Sequence, residues 1–289
     1  MNVKNYITGI IIVSAMVACK KTDSTAVIST VSAKTLLDVS YGTDAKQVMD
    51  IYLPANRRSD STKVMVLIHG GGWTSGDKAD FAVAIDTLKK RLPDYAIFNI
   101  NYRLSTGTAN IFPTQEIDVK AAIRYIYGKS SDYQVSTKLV LMGASAGGHL
   151  AMLQGYKDSV PIKPKAIVSF FGPSNLTDMY NNPVGGNLLL SIALAQAIGK
   201  TPIQDPLIYT NSSPVNFITG GSPPTILLHG GVDPLVSPSQ SVQVSSALSL
   251  LNVTNQYVFY PTGGHGNWDV ATYTDAYNKI QAFLTANVH

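Results

Sequence analysis

Short apolar runs alternate with amphipathic stretches along most of the chain. From residue 36 onward, apolar runs of strand length predict a series of β-strands, several of them covered on both faces. The predicted strands are KVMVLIHG, YAIFNINY, KLVLMG, KAIVSFFG, PTILLHG and NQYVFYP. Stretches with helical spacing of apolar residues separate or follow them: ADFAVAIDTLKKRL, TQEIDVKAAIRYIYG, SAGGHLAMLQG, SPSQSVQVSSALSLL and TYTDAYNKIQAFLTA.

The first two β-rich segments are joined by a short turn and not by a helix. LLDVSYG and QVMDIYLP are separated only by TDAK, which predicts an antiparallel hairpin. Beyond the hairpin, the alternation of strands and helices predicts an α/β fold: a mostly parallel central sheet with helices on both faces. In such sheets, functional residues collect in the loops after the carboxyl ends of the strands.

One segment interrupts the alternation. Residues 175–217 contain a strongly apolar centre, NLLLSIALAQAIG, with prolines on either side. Long insertions in compact domains are usually functional or carry structure of their own. Two interpretations remain open: a helical cap over a pocket, which we favour, or a peripheral helical excursion packed on the core.

The first 19 residues have the features of an export signal. Lys4 precedes an apolar stretch from Tyr6 to Ala18, which is shorter than the roughly 20 residues of a membrane span. Cys19 is the only cysteine of the chain, and AMVAC resembles the lipobox of bacterial lipoproteins. We expect lipidation at Cys19, and hence a membrane-anchored protein on the periplasmic or outer face of a bacterial envelope. An ordinary cleaved signal peptide and an uncleaved anchor are the alternatives.

Residues 20–35 are rich in serine, threonine and lysine and predict a flexible tether, which leaves 36–289 as the catalytic domain.

The net charge of +4 is concentrated near the start of the chain. Residues 1–34 contain four lysines and one aspartate, a balance of +3, so the remainder carries +1. That balance gives no indication of a nucleic-acid partner.

The segment GASAG places Ser145 between small residues, directly after one predicted strand and before a helix. A nucleophile elbow needs this context, because a sharp strand-to-helix turn projects the serine hydroxyl above the sheet. The same small residues also occur where a helix only packs closely on a sheet. The rest of the chain must therefore supply the other catalytic groups.

A second glycine-rich segment, HGGGW, starts at His69 and also follows a predicted strand. Acyl transfer needs N–H groups aimed at the developing oxyanion. The expected donors are the N–H groups of Gly71, Gly72 and Ala146, the residue after the serine. A plain glycine turn is the alternative, whereas the G-x-x-x-x-G-K-[ST] pattern of a phosphate loop is missing.

Two further strand ends carry an acid and a base. Asp233 follows PTILLHG, and His265 follows NQYVFYP. Each is a weak signal alone, but the order Ser145, Asp233, His265 is that of α/β-hydrolase triads. In this arrangement the histidine takes the serine proton and the aspartate orients the imidazole.

These motifs resemble a known family. HGGGW, NYRL and GASAGGH are similar to those of hormone-sensitive-lipase-like esterases of the α/β-hydrolase family and their bacterial carbohydrate-esterase relatives. The resemblance covers about residues 36–287 and implies Ser145, Asp233 and His265 as the triad, with Gly71, Gly72 and Ala146 as the oxyanion hole. It also implies acetyl or feruloyl esters of polysaccharides as substrates. Many lipases of the group have a helical cap segment before the hairpin, whereas here a tether occupies that place.

Other polar residues have structural interpretations. We expect His149 to pack near the elbow, His69 to brace the glycine loop, and Asp269 and Glu116 to be structural. His229 lies at the same strand end as Asp233, which explains that loop better. The rival acid Asp205 lies in the insertion, far from a core strand end, and ranks well below Asp233. The histidines show no H-x-x-x-H or H-E-x-x-H pairing, so we expect no zinc site and no cofactor.

The sequence therefore predicts a serine hydrolase of carboxylic esters that acts through an acyl-enzyme on Ser145. Its partner would be a small-molecule or oligosaccharide ester. An amidase, formamidase or peptidase on the same triad is the first alternative. A non-catalytic binding lipoprotein that kept the fold is the second.

Overall fold

A computed structural model of the chain describes Met1 and residues 31–157 and 162–289. Apart from Met1, these residues belong to one compact unit, Val31–His289. The predicted lipid-attachment site at Cys19 lies outside the described residues. Within them, no helix is both long and apolar enough to cross a membrane.

A single sheet forms the centre of the described unit. Its strands are β1 (Lys34–Ser40), β2 (Val48–Leu53), β3 (Lys63–Ile68), β4 (Tyr95–Ile100), β5 (Leu139–Ala144), β6 (Ala166–Phe170), β7 (Thr225–Gly230) and β8 (Asn255–Tyr260). Their order across the sheet is β1-β2-β4-β3-β5-β6-β7-β8. β1 pairs antiparallel with β2, and β2 with β4, which confirms the predicted hairpin. All other pairs are parallel, so β3 and β5 to β8 end at the same edge.

Helices cover both faces of this sheet. They are α1 (Ala82–Arg91), α2 (Thr114–Gly128), α3 (Ser130–Tyr133), α4 (Ala146–Tyr156), α5 (Leu176–Asn181), α6 (Leu188–Ile198), α7 (Pro206–Asn211), α8 (Ser239–Leu250) and α9 (Val270–Asn287). Short 3-10 turns lie at Lys78–Phe81, Val184–Gly186 and Pro214–Phe217. The single turn of α3 was not predicted, because four polar and aromatic residues show no helical periodicity.

The continuous apolar runs arise because successive strand residues face two different cores. In β3, Val64 and Val66 pack in a cluster with the buried faces of α2, α4 and α8. Met65 and Leu67, which alternate with them, pack in a second cluster with α1 and α9. Since side chains alternate across a strand, a strand covered on both faces must be apolar at every position.

The folded unit starts earlier than the sequence pattern predicted. We expected the catalytic domain from residue 36, but β1 begins at Lys34 and the compact unit at Val31. The backbone carbonyl of Val31 accepts a hydrogen bond of 2.7 Å from the N–H of Asn56. A backbone contact of this kind leaves no trace in the pattern of side chains.

The insertion at 175–217 is helical, as predicted. Polar side chains cap its three α-helices: Asn175 accepts from the N–H of Asp178, Asn187 from that of Leu189, and Asp205 from that of Ile208. Buried residues of α6 and α7 join the core cluster of α2 and α4. The insertion therefore packs on that face of the sheet.

Candidate active site

Ser145 lies in the turn between β5 and α4, with φ 54° and ψ −121°. A non-glycine residue in this region of backbone space is strained, and surrounding contacts must hold it there. Its N–H donates to the carbonyl of Phe170 at 2.8 Å, and its carbonyl accepts from the N–H of His149 at 3.0 Å. The elbow is thus fixed on one side to β6 and on the other to the first turn of α4.

The two glycines that flank the serine are required by space. A Cβ added to Gly147 would lie 1.9 Å from the carbonyl oxygen of Ile68, at the end of β3. A Cβ added to Gly143 would lie 2.2 Å from the carbonyl oxygen of Gly147. The start of α4 therefore packs directly against the backbone of β3. This contact brings the elbow next to the HGGGW segment.

The three residues predicted as a triad meet at the carboxyl edge of the sheet. His265 Nε2 lies 2.9 Å from Ser145 Oγ, and His265 Nδ1 lies 2.7 Å from Asp233 Oδ2. Since a carboxylate only accepts, Nδ1–H donates to Asp233, and Nε2 is left free to accept the serine proton. The Phe171 ring packs on the imidazole with centroids 4.5 Å apart. This geometry suits general-base activation of the hydroxyl.

Asp233 is held as a carboxylate. Burial alone would raise its pKa, but hydrogen bonds from His229, His265 and the N–H of Val236 outweigh that effect and hold the pKa well below its usual value. Oδ1 accepts from the N–H groups of Leu235 at 2.8 Å and Val236 at 2.9 Å. Oδ2 is left to face the imidazole of His265.

We expect the charge of Asp233 to contribute to stability in a pH-dependent way. Its folded-state pKa lies below the unfolded value of about 3.9, so the contribution is fully present above that value and is lost as pH falls below it. The free energy of unfolding of the wild type should exceed that of Asp233→Asn, and the difference should narrow between pH 5 and pH 3. Urea denaturation measures both proteins. A difference that widened as the pH fell would contradict the assignment.

The peptide groups of the HGGGW segment are fixed by their carbonyls. The carbonyl of Gly70 accepts from His69 Nδ1 at 2.8 Å and from the Tyr102 hydroxyl at 3.1 Å. The carbonyl of Gly71 accepts from the N–H groups of Thr74 at 3.1 Å and Ser75 at 2.9 Å. In a planar trans peptide the N–H points opposite to the carbonyl. The N–H groups of Gly71 and Gly72 are therefore held pointing away from these contacts.

The backbone of this segment also needs glycine. Gly71 has φ +99° and Gly72 has φ +57°. A Cβ on Gly71 would lie 2.1 Å from the carbonyl oxygen of Ser75. Ala146, the third predicted donor, is the first residue of α4, so its N–H has no acceptor within the helix. The N–H groups of Gly71, Gly72 and Ala146 therefore remain the predicted donors to a developing oxyanion.

Residues with structural interpretations occupy structural positions. Asp269 caps α9 through the N–H of Thr272, and Glu116 pairs with Lys157 at 3.0 Å. His69 is buried and stacks on Tyr102 with centroids 4.2 Å apart, and burial lowers its pKa. Asp205 caps α7, as described above. None of these contacts involves Ser145 or His265.

His229 makes contacts that the sequence did not predict. It is buried, and its Nδ1 lies 2.8 Å from Ser241 Oγ. Its Nε2 lies 2.9 Å from the carbonyl of Val236 and 3.4 Å from Asp233 Oδ2. Because the carbonyl accepts, Nε2 carries the proton, and this N–H supports the loop that presents Asp233. Contacts over such short loops depend on the turn geometry, which the letters HGGVD do not reveal.

A cleft of about 650 Å³ opens next to the elbow, between α1 and α9. Gly70 of the HGGGW segment lines it, as do Ala144 and Gly266, the chain neighbours of Ser145 and His265, whereas the three triad residues themselves do not. Asp80 and Arg91 contribute charged side chains to its walls, and six aromatic residues line it as well: Phe81, Phe170, Phe171, Trp268, Tyr273 and Tyr277. No residue of 175–217 lines this cleft. A cap over the triad therefore stays a prediction, since the triad residues do not line this cleft.

The described residues of the site do not form a ligand set for a metal ion. Across the described residues, no group of three or more histidine, cysteine, aspartate or glutamate side chains is placed to hold an ion. The chemistry available at the site is that of a serine hydroxyl, an imidazole, a buried carboxylate and backbone N–H donors.

Comparison with known proteins identifies the family to which the chain belongs. The profile of the BD-FAE family matches residues 49–248. That span covers more than half of the chain. The chain belongs to the BD-FAE family. The match includes Ser145 and Asp233 and ends before His265, so the position of His265 rests on the geometry described above.

Individual relatives of this BD-FAE protein agree with that result. It is 25% identical to Esterase LipQ of Mycobacterium tuberculosis over an alignment of 227 residues. The alignment covers 73% of this chain and 52% of LipQ. A solved structure described as a truncated form of carbohydrate esterase from gut microbiota shares 25% identity with a TM-score of 0.72, covering 87% of this chain and 96% of that one.

A bifunctional GH43-CE of Bacteroides eggerthii shares 26% identity with a TM-score of 0.73 and covers 86% of this chain and 38% of its own. The chain spans about half the length of the curated relatives it matches. These likenesses confirm the α/β-hydrolase fold of an esterase family, as the HGGGW and GASAG motifs predicted.

Proposed function

We propose that this BD-FAE protein is a serine esterase. The observation that carries the proposal is the imidazole of His265, which contacts Ser145 Oγ at 2.9 Å and Asp233 Oδ2 at 2.7 Å. His265 removes the serine proton as Oγ attacks the ester carbonyl, and the negative oxygen of the tetrahedral intermediate accepts from the N–H groups of Gly71, Gly72 and Ala146.

The second half of the reaction uses the same groups. His265 gives its proton to the leaving alcohol, and an acyl-enzyme remains on Ser145. A water molecule that has lost a proton to His265 then attacks the acyl carbonyl and releases the acid. Asp233 stabilises the imidazolium in both steps, because its low pKa keeps it charged.

Carbohydrate-linked esters with short acyl groups are the proposed substrates. Relatives described as carbohydrate esterases support this class. The aromatic walls of the 650 Å³ cleft also suit it, since aromatic faces pack against planar or ring-shaped groups. The acyl or the alcohol part of the substrate would lie in this cleft.

Hydrolysis of p-nitrophenyl acetate and of longer p-nitrophenyl esters tests the proposal, together with release of acetate from acetylated xylo-oligosaccharides. The matched amide, p-nitroacetanilide, separates an esterase from an amidase or peptidase on the same triad. We expect kcat/KM for the acetate ester to exceed that for the anilide by several orders of magnitude. Turnover of the anilide alone, or of neither compound, would contradict the proposal.

We further propose that the protein is exported and anchored through a lipid on Cys19. The sequence from Lys4 to Cys19 supports this, and these residues lie outside the described part of the chain. Globomycin treatment, or Cys19→Ala, should leave an unprocessed precursor in membranes. Normal maturation under either condition would contradict the anchor.

A further inference from the structure

A buried histidine connects the oxyanion segment with the insertion. His149, in the first turn of α4, is 0% exposed. Its Nδ1 lies 3.2 Å from Trp73 Nε1, and its Nε2 lies 2.7 Å from the carbonyl oxygen of Ser212. An indole N–H only donates and a carbonyl only accepts. Nδ1 is therefore the acceptor and Nε2–H the donor, so the bridge needs the neutral ring.

On one side, the bridge reaches the segment that carries the expected oxyanion donors. Trp73 directly follows Gly72, is 3% exposed and has φ +62°. Its carbonyl accepts from the N–H of Ser105 at 2.9 Å, and its indole ring meets the imidazole edge-on at 5.1 Å. A shift of the indole would be passed to the Gly72–Trp73 peptide and, through the Cα of Gly72, to the Gly71–Gly72 peptide, which contains the N–H of Gly72.

On the other side, the bridge reaches a fixed part of the insertion. Ser212 is buried and ends α7, where its N–H donates to the carbonyl of Ile208 at 3.0 Å. The next residue, Ser213, accepts from the N–H of Leu176 at 2.9 Å and donates to the carbonyl of Tyr209 at 2.8 Å. The carbonyl of Ser212 is thus a rigid anchor rather than a loose loop atom.

We propose that His149 is a positioning residue of the oxyanion hole, which couples the insertion 175–217 to Gly71 and Gly72 by bridging the Ser212 carbonyl and the Trp73 indole. This inference rests on the proposed esterase function. It gives the insertion a role as a brace beneath the glycine segment. The coupling works at neutral pH, because burial lowers the pKa of His149 to about 4 and keeps the ring uncharged.

A glutamine can replace both contacts of the imidazole, since its amide carries an acceptor oxygen and a donor nitrogen. A leucine fills similar space and makes neither contact. The comparison of His149→Gln with His149→Leu therefore separates the hydrogen-bond bridge from packing. Leu150→Ala provides the matched control, because Leu150 is the next residue of α4, is 1% exposed and packs in the core.

The experiment measures kcat and KM of the full-length protein with p-nitrophenyl butyrate. For His149→Leu we expect kcat to fall by about 10²-fold with KM changed by less than about threefold, as when an oxyanion donor is misplaced. His149→Gln should recover kcat to within about tenfold of the wild type. Leu150→Ala should lower Tm but leave kcat within about threefold.

The indole N–H signals give a readout that does not depend on activity. The chain has two tryptophans, so ¹⁵N-labelled protein gives two indole signals, which Trp73→Phe assigns. In His149→Leu the Trp73 signal should move upfield and exchange faster with solvent, while the Trp268 signal stays in place. In His149→Gln both signals should stay close to their wild-type positions.

Three outcomes would overturn the inference: wild-type kcat in a folded His149→Leu protein, an unshifted Trp73 signal, or loss of kcat that merely follows Tm across His149→Leu and Leu150→Ala. If His149→Leu does not fold, His149→Asn replaces it, because the shorter amide cannot reach both partners. A wild type without esterase activity would instead refute the proposed function, while the indole signals would still test the bridge.

Discussion

Replacing Ser145 with alanine is expected to lower kcat for p-nitrophenyl esters by about 10⁶-fold, since loss of a triad serine removes covalent catalysis altogether. The residual rate would come from the oxyanion donors and from substrate binding, which do not need the hydroxyl. In this structure Oγ contacts His265 Nε2, and no other base approaches it within the described residues.

The same variant should fold normally. Alanine keeps the Cβ of serine, so it adds no clash at φ 54°, and the backbone bonds of residue 145 to Phe170 and His149 do not involve the hydroxyl. We expect the Tm of Ser145→Ala to lie within a few degrees of the wild-type value. Ester hydrolysis at the wild-type rate by the folded variant would show that Ser145 is not the nucleophile.

Gly147→Ala should damage both fold and catalysis. The added Cβ would lie 1.9 Å from the carbonyl oxygen of Ile68 and 2.5 Å from that of His69, which are backbone atoms that cannot rotate away. Overpacking of this kind costs about 1–3 kcal/mol or more. Because α4 must move away from β3, Ser145 also separates from the HGGGW segment, and kcat should fall by more than about 10²-fold.

Gly128→Ala is the control for this substitution. Gly128 is the last residue of α2, and no atom lies within 4 Å of an added Cβ. Alanine is the better helix former, so we expect the free energy of unfolding to stay equal or rise by up to about 1 kcal/mol, with kcat unchanged. Urea denaturation and ester hydrolysis measure both variants. Equal behaviour of the two proteins would contradict the close packing at Gly147.

The architecture was predictable because the sheet is buried on both sides. Strands such as β3 must be apolar at every position, and the helices between them carry one apolar face, so the sequence shows both element types clearly. Features that depend on hydrogen bonds between backbone groups could not be predicted from the sequence pattern. The start of the unit at Val31, held by Asn56, is one such case.

Much of the candidate site was also predictable, because each of its parts follows a strand of a parallel sheet. The segments around Ser145, Asp233 and His265 come together because β5, β7 and β8 end at one edge. Their catalytic roles stay a prediction. The geometry makes those roles specific enough to test one by one.

The supporting contacts were not predictable. The Tyr102 hydroxyl reaches the carbonyls of His69 and Gly70, more than 30 positions away in sequence, and His149 reaches Trp73 over 76 positions. Such contacts depend on how two loops meet in space. NYRL marked Tyr102 as part of a motif, but nothing in those four letters shows that its hydroxyl holds a peptide plane.

The most direct test of the central claim is covalent trapping of the nucleophile. Diethyl p-nitrophenyl phosphate reacts with an activated serine, whose Oγ attacks phosphorus while p-nitrophenolate leaves. Intact-mass and tandem mass spectrometry should show one diethylphosphoryl group per chain, on Ser145, with esterase activity lost in parallel and no adduct in Ser145→Ala. An adduct on another residue that tracks the loss of activity, or ester hydrolysis that continues with Ser145 fully modified, would contradict the account.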